Sequence, residues 1–412
     1  MPAGVSNDST LRKLTSDGRL LFLTRFTRLF AYGALSVVLV LYLTSVGLSE
    51  SQTGLLLTLT LAGDTVVSLL LTTRADRFGR RRMLIVGAFL MAGAGLTFAV
   101  TKNFWVLAIA GTLGVISPSG HEVGPFLSIE QAALSHVLAN RLRTSAFAWY
   151  TLAGSFATAI GSLVGGILPD AGGYRAVVVL YAALGILLAL LFTRLSVATE
   201  VRATQEGVPV ETVKTFLGVD RSRDVVLKLS GLFALDSFAG GFVVQSFAAY
   251  WFHLKFGVNP ATLGAIFFGA NVFAGISALL ASRLAARFGL IKTMVFTHLP
   301  SNVLLILVPL MPTLPLAIAV LLLRFSISQM DVPARQSYTM AIVPAEERSA
   351  AAGVTGVART IGASIAPVFV GLMFARPALV SLPFFMAGTL KIVYDLLLYR
   401  GFSTMLPPEE TE

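Results

Sequence analysis

Arg74-Ala75-Asp76-Arg77-Phe78-Gly79-Arg80-Arg81-Arg82 packs six charged side chains into nine residues. On either side of it, about 53–73 and 83–101, the chain is almost wholly apolar, with Asp64 the one ionisable residue in both flanks. A bilayer core about 30 Å thick takes about 20 apolar residues per helical crossing. Each flank is therefore read as a crossing, and the charged nonapeptide as the short loop that joins them on one face of the membrane.

Working outward, the same alternation fills the chain. Apolar runs are read at about 20–45, 104–134, 145–168 and 175–195 around the first two, then at about 228–252, 260–282, 293–311, 314–341, 349–373 and 382–399. With 412 residues, 55% of them hydrophobic, 13% charged and a mean hydropathy of +0.80, the chain holds more apolar surface than a soluble core can use. The run from Leu20 is too long for a signal-peptide core and is read as the first crossing. The expected fold is an all-α polytopic membrane protein of twelve transmembrane helices.

The formal charge of +10 would suggest nucleic acid in a soluble protein, but here the basic residues sit in short loops. Arg12, Lys13 and Arg19, then Arg74 to Arg82, Arg141, Arg143, Arg283, Arg287, Lys292, Arg348 and Arg400 fall on the N-terminal side. The opposite loops carry Lys102, Arg175, Lys255 and Arg376. The positive-inside rule then puts both termini in the cytoplasm and leaves no role for nucleic acid. Cysteine is absent and the four histidines are scattered, so no metal site or cofactor is expected. The expected partners are the lipid bilayer, a small solute and protons, with the chain acting as a monomer in a bacterial inner (plasma) membrane.

Organisation follows from charge and repetition. Residues 1–19 form a polar cytoplasmic segment, 20–195 a six-helix bundle, 196–227 a mixed-charge linker, 228–399 a second six-helix bundle and 400–412 a cytoplasmic tail. The bundles repeat: Val46 to Gly54 matches Phe256 to Gly264, and Arg77-Phe78-Gly79 matches Arg287-Phe288-Gly289, both about 210 residues apart. Further on the spacing is about 205, pairing Gln131 with Gln336, Arg143 with Arg348, and Gly166 with Gly371. Two parallel six-helix repeats are an architecture that forms its site at the membrane midplane.

The charged loop resembles the signature loop of the major facilitator superfamily, G-x-L-a-D-R-x-G-R-R, with Thr72 at its first glycine and Arg74 at its leucine. Gly154, Gly161, Gly165 and Gly166 in the fifth run are similar to the glycine-rich motif of superfamily exporters, with Ser162 at its proline, and they also suit plain close packing. The string from Asp331 to Gln336 and then Pro344 to Arg348 is similar to others in that family. The resemblance covers nearly the whole chain. It implies alternating access, a cavity lined by helices one, four, seven and ten, and a conformational switch in which Asp76, Arg77, Gly79 and Arg80 take part. Asp76 is expected to dock near Arg348 to Ala351, at the N–H-rich start of the eleventh helix.

Ionisable residues inside a membrane cost about 2.5–3.5 kcal/mol each on insertion scales, so each one here is a site candidate. Arg25 and Arg28 either snorkel or line the cavity. Asp64 is either a hydrogen-bonded structural carboxyl or a protonation site. Ser117 to Pro125 puts two prolines, His121 and Glu122 at mid-depth of the fourth run; a continuous helix would align Ser117, His121, Gly124, Ser128 and Gln131 and leave Glu122 and Glu130 off that stripe. Burial favours the neutral, proton-carrying form of a carboxyl, which makes Glu122, Asp64 and Asp236 coupling candidates, and His121 joins them as the other titratable group of the Ser117 to Pro125 segment. Arg28, Tyr32, Gln131, Gln245, Arg324 and Arg359 are the candidates for lining the substrate cavity.

Asp331 and Arg335, and likewise Lys391 and Asp395, are four apart and are read as internal pairs. Repeat symmetry makes Glu130 the mate of Arg335, so these two are expected to meet as a cytoplasmic gate when the protein opens outward; otherwise Arg335 stays with Asp331 and Glu130 with Arg141 or Arg143. The function these readings support is secondary active transport of a small organic solute, proton-coupled and by efflux. Uniport, or symport importing a polar or anionic solute, is the alternative. A non-transporting membrane enzyme or receptor is the remote one; there is no P-loop, metal cluster or soluble domain to support it.

Overall fold

The structure is a computed structural model describing residues 14–138, 143–200, 219–405 and 407. Most of the predicted linker, and parts of both predicted end segments, lie outside these residues. Among those described there is no β-strand. The helices are α1 (Ser16–Ser45), α2 (Glu50–Phe78), α3 (Arg80–Val100), α4 (Phe104–Leu113), α5 (Phe126–Val137) and α6 (Arg143–Phe192). They continue as α7 (Arg223–Gly241), α8 (Gln245–Phe256), α9 (Pro260–Phe288), α10 (Leu290–Leu307), α11 (Leu314–Phe325), α12 (Asp331–Ala341), α13 (Arg348–Phe374) and α14 (Leu382–Phe402).

Nine helical segments of the described residues are long and apolar enough to cross a membrane. One of them, within α6, covers two crossings, because Gly172 and Gly173 interrupt the helix and Gly173 adopts φ +68°. Two shorter apolar helices, α4 and α11, are each followed after a break by a further short helix, α5 and α12. The all-helical polytopic architecture agrees with the expected fold, and these helices are enough for the twelve crossings it calls for.

The repeated strings are where the chain stops one helix and starts the next. Gly47 and Gly257 take φ of +101° and +64° just past the ends of α1 and α8. The N-terminus of α2 is then closed by Ser49 and Gln52, each accepting the other's backbone N–H at 3.2 and 3.0 Å, and that of α9 by Asn259, which accepts from Thr262 N–H at 2.9 Å. Gly79 and Gly289 turn the chain at φ +100° and +86° between α2 and α3, and between α9 and α10. Only glycine adopts such angles without strain.

The chain divides into two compact units. The first comprises residues 1–48, 59–204 and 258–268; the second comprises 49–58, 205–257 and 269–412. In the first unit α1 packs along α6 so closely that a methyl on Gly33 would fall 2.2 Å from the Thr158 carbonyl oxygen, and one on Gly161 would fall 2.1 Å from that of Phe30. In the second, α7 packs along α13 in the same way, Gly241 against Ala363 and Gly362 against Ala234. The glycines at the repeat positions do likewise: Gly166 meets Gly264 within the first unit, and Gly54 meets Gly371 within the second. With apolar lipid outside, such backbone contacts supply the attraction that a hydrophobic effect supplies in water.

Candidate functional site

In each unit one helix crossing is broken at the same register. Between α4 and α5 the chain is non-helical from Gly114 to Pro125; between α11 and α12 it is irregular from Ser326 to Met330. Helix resumes at Phe126 and at Asp331, 205 positions apart. The stripe expected from a continuous fourth helix is therefore absent, because prolines 118 and 125 and the positive φ of Gly120 and Gly124 unwind it. The break is fastened by side chains. Ser117 Oγ donates to the His121 carbonyl at 2.7 Å, the Tyr32 hydroxyl donates to the Val123 carbonyl at 3.4 Å, and the Tyr181 hydroxyl donates to the Val115 carbonyl. Asp64, buried on α2, accepts from Gly124 N–H and, at 3.5 Å, from the Ser68 hydroxyl.

Unwinding aims Glu122 at α1, where its carboxylate lies 2.5 Å from Arg25 and 3.1 Å from Arg28. Arg28 is fully buried and donates to both oxygens of Glu130, each at 2.8 Å. Glu130 also accepts from Thr24 Oγ1 at 2.8 Å and from the Tyr150 hydroxyl. The arginines thus do not snorkel; two basic and two acidic side chains form one ion-paired cluster at the α5 start. His121 stands apart with an exposed side chain, and Gln131 is half-buried on α5.

The second unit holds a matching cluster with the signs reversed. Arg28 and Asp236 are 208 positions apart, as are Gly33 and Gly241, whose contacts Thr158 and Ala363 keep the 205 spacing. The Arg28–Glu130 pair of the first unit corresponds to Asp236–Arg335 in the second, where Arg335 donates to Asp236 Oδ2 at 3.1 Å. Arg335 also pairs with Asp331 at 3.1 Å, as its spacing predicted.

The expected Lys391–Asp395 pair is corrected here. Lys391 reaches Asp236 Oδ1 at 2.5 Å, while Asp395 is held by His298 Nδ1 at 2.8 Å and Asn302 Nδ2 at 2.9 Å. Spacing on one helix gave way to partners on α7 and α10, which bind at shorter range out of water. The partners found for Glu130 and Arg335 lie in their own units; the gate expected between these two mates has its charges already compensated by Arg28 and by Asp236 with Asp331.

Among the remaining candidates, Gln245 accepts from Asn271 at 3.0 Å, Arg359 donates to Ser237 at 3.3 Å, and the Arg324 guanidinium lies over the Phe325 ring at 5.0 Å. Arg77 is exposed and faces the Phe78 ring. The Asp76 side chain, with the docking expected of it, lies outside the described residues. Arg80 and Arg81 offer their backbone N–H groups, at the start of α3, to the two oxygens of Glu200 at 2.7 and 3.1 Å, and Arg80 reaches the Thr199 carbonyl at 3.3 Å. In the second unit Glu347 does the same for the chain leading into α7, accepting from Asp220, Arg221 and Ser222 at 3.0, 2.8 and 3.0 Å. A carboxylate on free N–H groups at a helix start is favoured by the helix dipole. Neither glutamate was singled out in the sequence, where each reads as one more loop charge; a carboxylate two residues from a predicted helix end was the available signal for Glu347. His298 and Asn302 were missed because they sit in an apolar run with no motif.

Comparison with known proteins agrees with this architecture. A family model described as the Major Facilitator Superfamily matches residues 21–367 and 229–410. The uncharacterized membrane protein YJR124C of Saccharomyces cerevisiae is 31% identical over 417 residues, covering 93% of each chain. Among solved structures, the nucleoside transporter NupG superposes with a TM-score of 0.74 at 13% identity, covering 94% of this chain and 99% of that one. A D-xylose-proton symporter gives 0.71 at 16%, covering 96% and 99%. A bacterial homologue of the human lysosomal transporter Spinster gives 0.70 at 16%, covering 97% and 96%. This chain is a membrane protein belonging to the major facilitator superfamily.

Proposed function

We propose that this protein is a secondary active transporter that moves a small organic solute by alternating access and couples that movement to protons, with both termini in the cytoplasm. The observation that carries the reading is the pair of buried charge clusters, Arg28–Glu130 with Glu122 and Asp236–Arg335 with Lys391, at repeat-equivalent positions beside the two helix breaks. Charges this deep cost too much to keep as filler, and broken helices at membrane depth line cavities. A transporter is a natural use of both. Of the structural neighbours, one is a proton symporter, and all three resemble this chain in fold.

Glu122 is the coupling carboxylate in this reading, since it is the partly exposed member of its cluster and has two arginines to leave and rejoin. Glu122→Gln is expected to abolish uphill transport in proteoliposomes while substrate exchange persists, because a group that holds no exchangeable charge cannot couple to one. Full uphill transport by both Glu122→Gln and His121→Ala would move coupling away from this break. The exporter-like glycines of α6 are accounted for by their packing on α1 and α9, so the direction, for which efflux by antiport is the proposal, is read from counterflow in everted vesicles.

A second reading is favoured by one observation. Arg324 and Arg359, half-buried on α11 and α13, make no ion pair within 4 Å among the described residues, and Arg324 Nε has no hydrogen-bond partner. Two such cations suit an anionic solute. Stabilisation of the purified protein by organic anions, lost in Arg359→Gln, would support this; stabilisation by cations alone would count against it.

A further inference from the structure

The charged nonapeptide returns in the second unit with its turn kept and its chemistry changed. Arg77-Phe78-Gly79 recurs as Arg287-Phe288-Gly289, and Arg82 as Lys292, 210 positions on. At the same spacing Asp76 becomes Ala286, while Arg74, Arg80 and Arg81 become Leu284, Leu290 and Ile291. The acid is gone, and no Asp or Glu occurs anywhere between Asp236 and Asp331. Arg283, one turn before Arg287, adds a third cation. Among the described residues, Arg283, Arg287 and Lys292 make no ion pair within 4 Å, and Arg287 lies over the Phe288 ring at 5.3 Å. The corresponding turn of the first unit, by contrast, is met by Glu200.

Beside these cations the surface of α9 and α10 is hollowed into a trough of about 380 Å³, lined by Leu284, Phe288, Lys292, Thr293, Phe296 and Thr297. Phe288 and Phe296 are 51% and 59% exposed, so the trough opens outward. Thr297 spends its hydroxyl on the Thr293 carbonyl at 2.8 Å. Thr293 itself is 2% exposed, and its hydroxyl has no hydrogen-bond partner among the described residues, an arrangement that costs stability until an acceptor arrives. Arg287 and Lys292 belong to the last turn of α9 and the first turn of α10, at the membrane surface, and Leu284 and Phe296 lie about one turn deeper.

The two parts of this surface suit different matter. Hydrocarbon fills an apolar trough but leaves the cations unmatched; a soluble anion matches the cations but leaves the trough empty. A molecule with an anionic head and a hydrocarbon chain serves both. We propose that the α9–α10 turn is a binding site for an anionic phospholipid, its phosphate held by Arg287 and Lys292 and one acyl chain lying in the trough along Leu284 and Phe296. Arg283 adds positive potential at the rim. The Lys292 stem covers apolar wall while its ammonium stays among the headgroups, and the ester carbonyls bring acceptors to the wall that carries the Thr293 hydroxyl. Zwitterionic lipid covers the same apolar face with no net charge to offer, so headgroup selectivity is the signature of the site.

The test is photo-crosslinking of the full-length protein in phosphatidylcholine nanodiscs. Two trace probes carry the same diazirine-bearing acyl chain, one under a phosphatidylglycerol headgroup and one under phosphatidylcholine, and mass spectrometry locates the labelled residues. A cation near an anionic lipid surface is worth about fivefold in affinity. The phosphatidylglycerol probe is therefore expected to label residues 284–297 at least about fivefold more than its counterpart, and to lose most of that excess in the double variant Arg287→Gln with Lys292→Gln. Excess glycerol phosphate at constant ionic strength should not compete, because it has no chain for the trough. Equal labelling by the two probes in the native chain overturns the proposal and makes the trough an ordinary lipid-covered face. An excess that survives the double variant overturns it too, and an excess abolished by glycerol phosphate assigns the cations to a soluble anion instead. The comparison of probes on the native chain needs no variant, and no arm depends on the solute or on transport.

Discussion

Glu130→Gln tests the account of the first unit most directly. Its side chain is wholly buried and accepts two hydrogen bonds from Arg28 and one each from Thr24 and Tyr150. Removing the negative charge leaves the guanidinium of Arg28 buried, with Glu122 at 3.1 Å as its remaining carboxylate, and that carboxylate is already shared with Arg25. Breaking one side of a buried pair costs about 3–5 kcal/mol; since Glu122 still compensates in part, about 3 kcal/mol is expected. At about 2–4 °C per kcal/mol this is a fall of about 6–12 °C in Tm, readable from the fluorescence of the three tryptophans of purified protein in detergent. The double variant Arg28→Met with Glu130→Met removes both charges and should recover more than half of the loss, because the penalty lies in the orphaned charge. The reasoning is refuted if Glu130→Gln melts within about 1 °C of the native protein, or if the double variant is as unstable as the two singles combined.

Two further predictions concern positions outside that cluster. Glu347 is covered, which by itself would raise its pKa, but three backbone N–H groups and the Ser222 hydroxyl favour its ionised form and hold the pKa below the usual glutamate value. A depressed acid contributes stability that is complete above its unfolded pKa of about 4.3 and is lost as pH falls through the folded value; the native Tm should therefore drop faster than that of Glu347→Gln below about pH 4.5, and parallel curves would sink the assignment. Gly33→Ala, whose methyl would lie 2.2 Å from the Thr158 carbonyl oxygen, should cost several °C in Tm, whereas Gly353→Ala on α13 meets nothing within 4 Å and should be neutral or slightly stabilising; equal effects at the two sites would show that α1 does not pack on α6 as described.

The sequence by itself determined the class of fold, the crossings and the repeat, because a membrane imposes length and polarity on every crossing and leaves few alternatives. It also marked the residues that matter electrically, since any charge within an apolar run is conspicuous: Arg28, Glu122, Glu130, Asp236, Asp331 and Arg335 are all in the clusters found. What it could not determine was who meets whom. Spacing of four along one helix was a sound guide for Asp331 and Arg335 but a false one for Lys391 and Asp395, because a helix shows only its own neighbours, and a buried charge binds whichever partner the packing of other helices brings nearest. The glycines repeat in the sequence, yet only tertiary structure shows that they let α1 approach α6 and α7 approach α13, each within its own unit. His298, silent in the sequence, meets its two carboxylates from α7 and α14, elements about 60 and 100 residues away along the chain, and only the packing of those helices could bring them together.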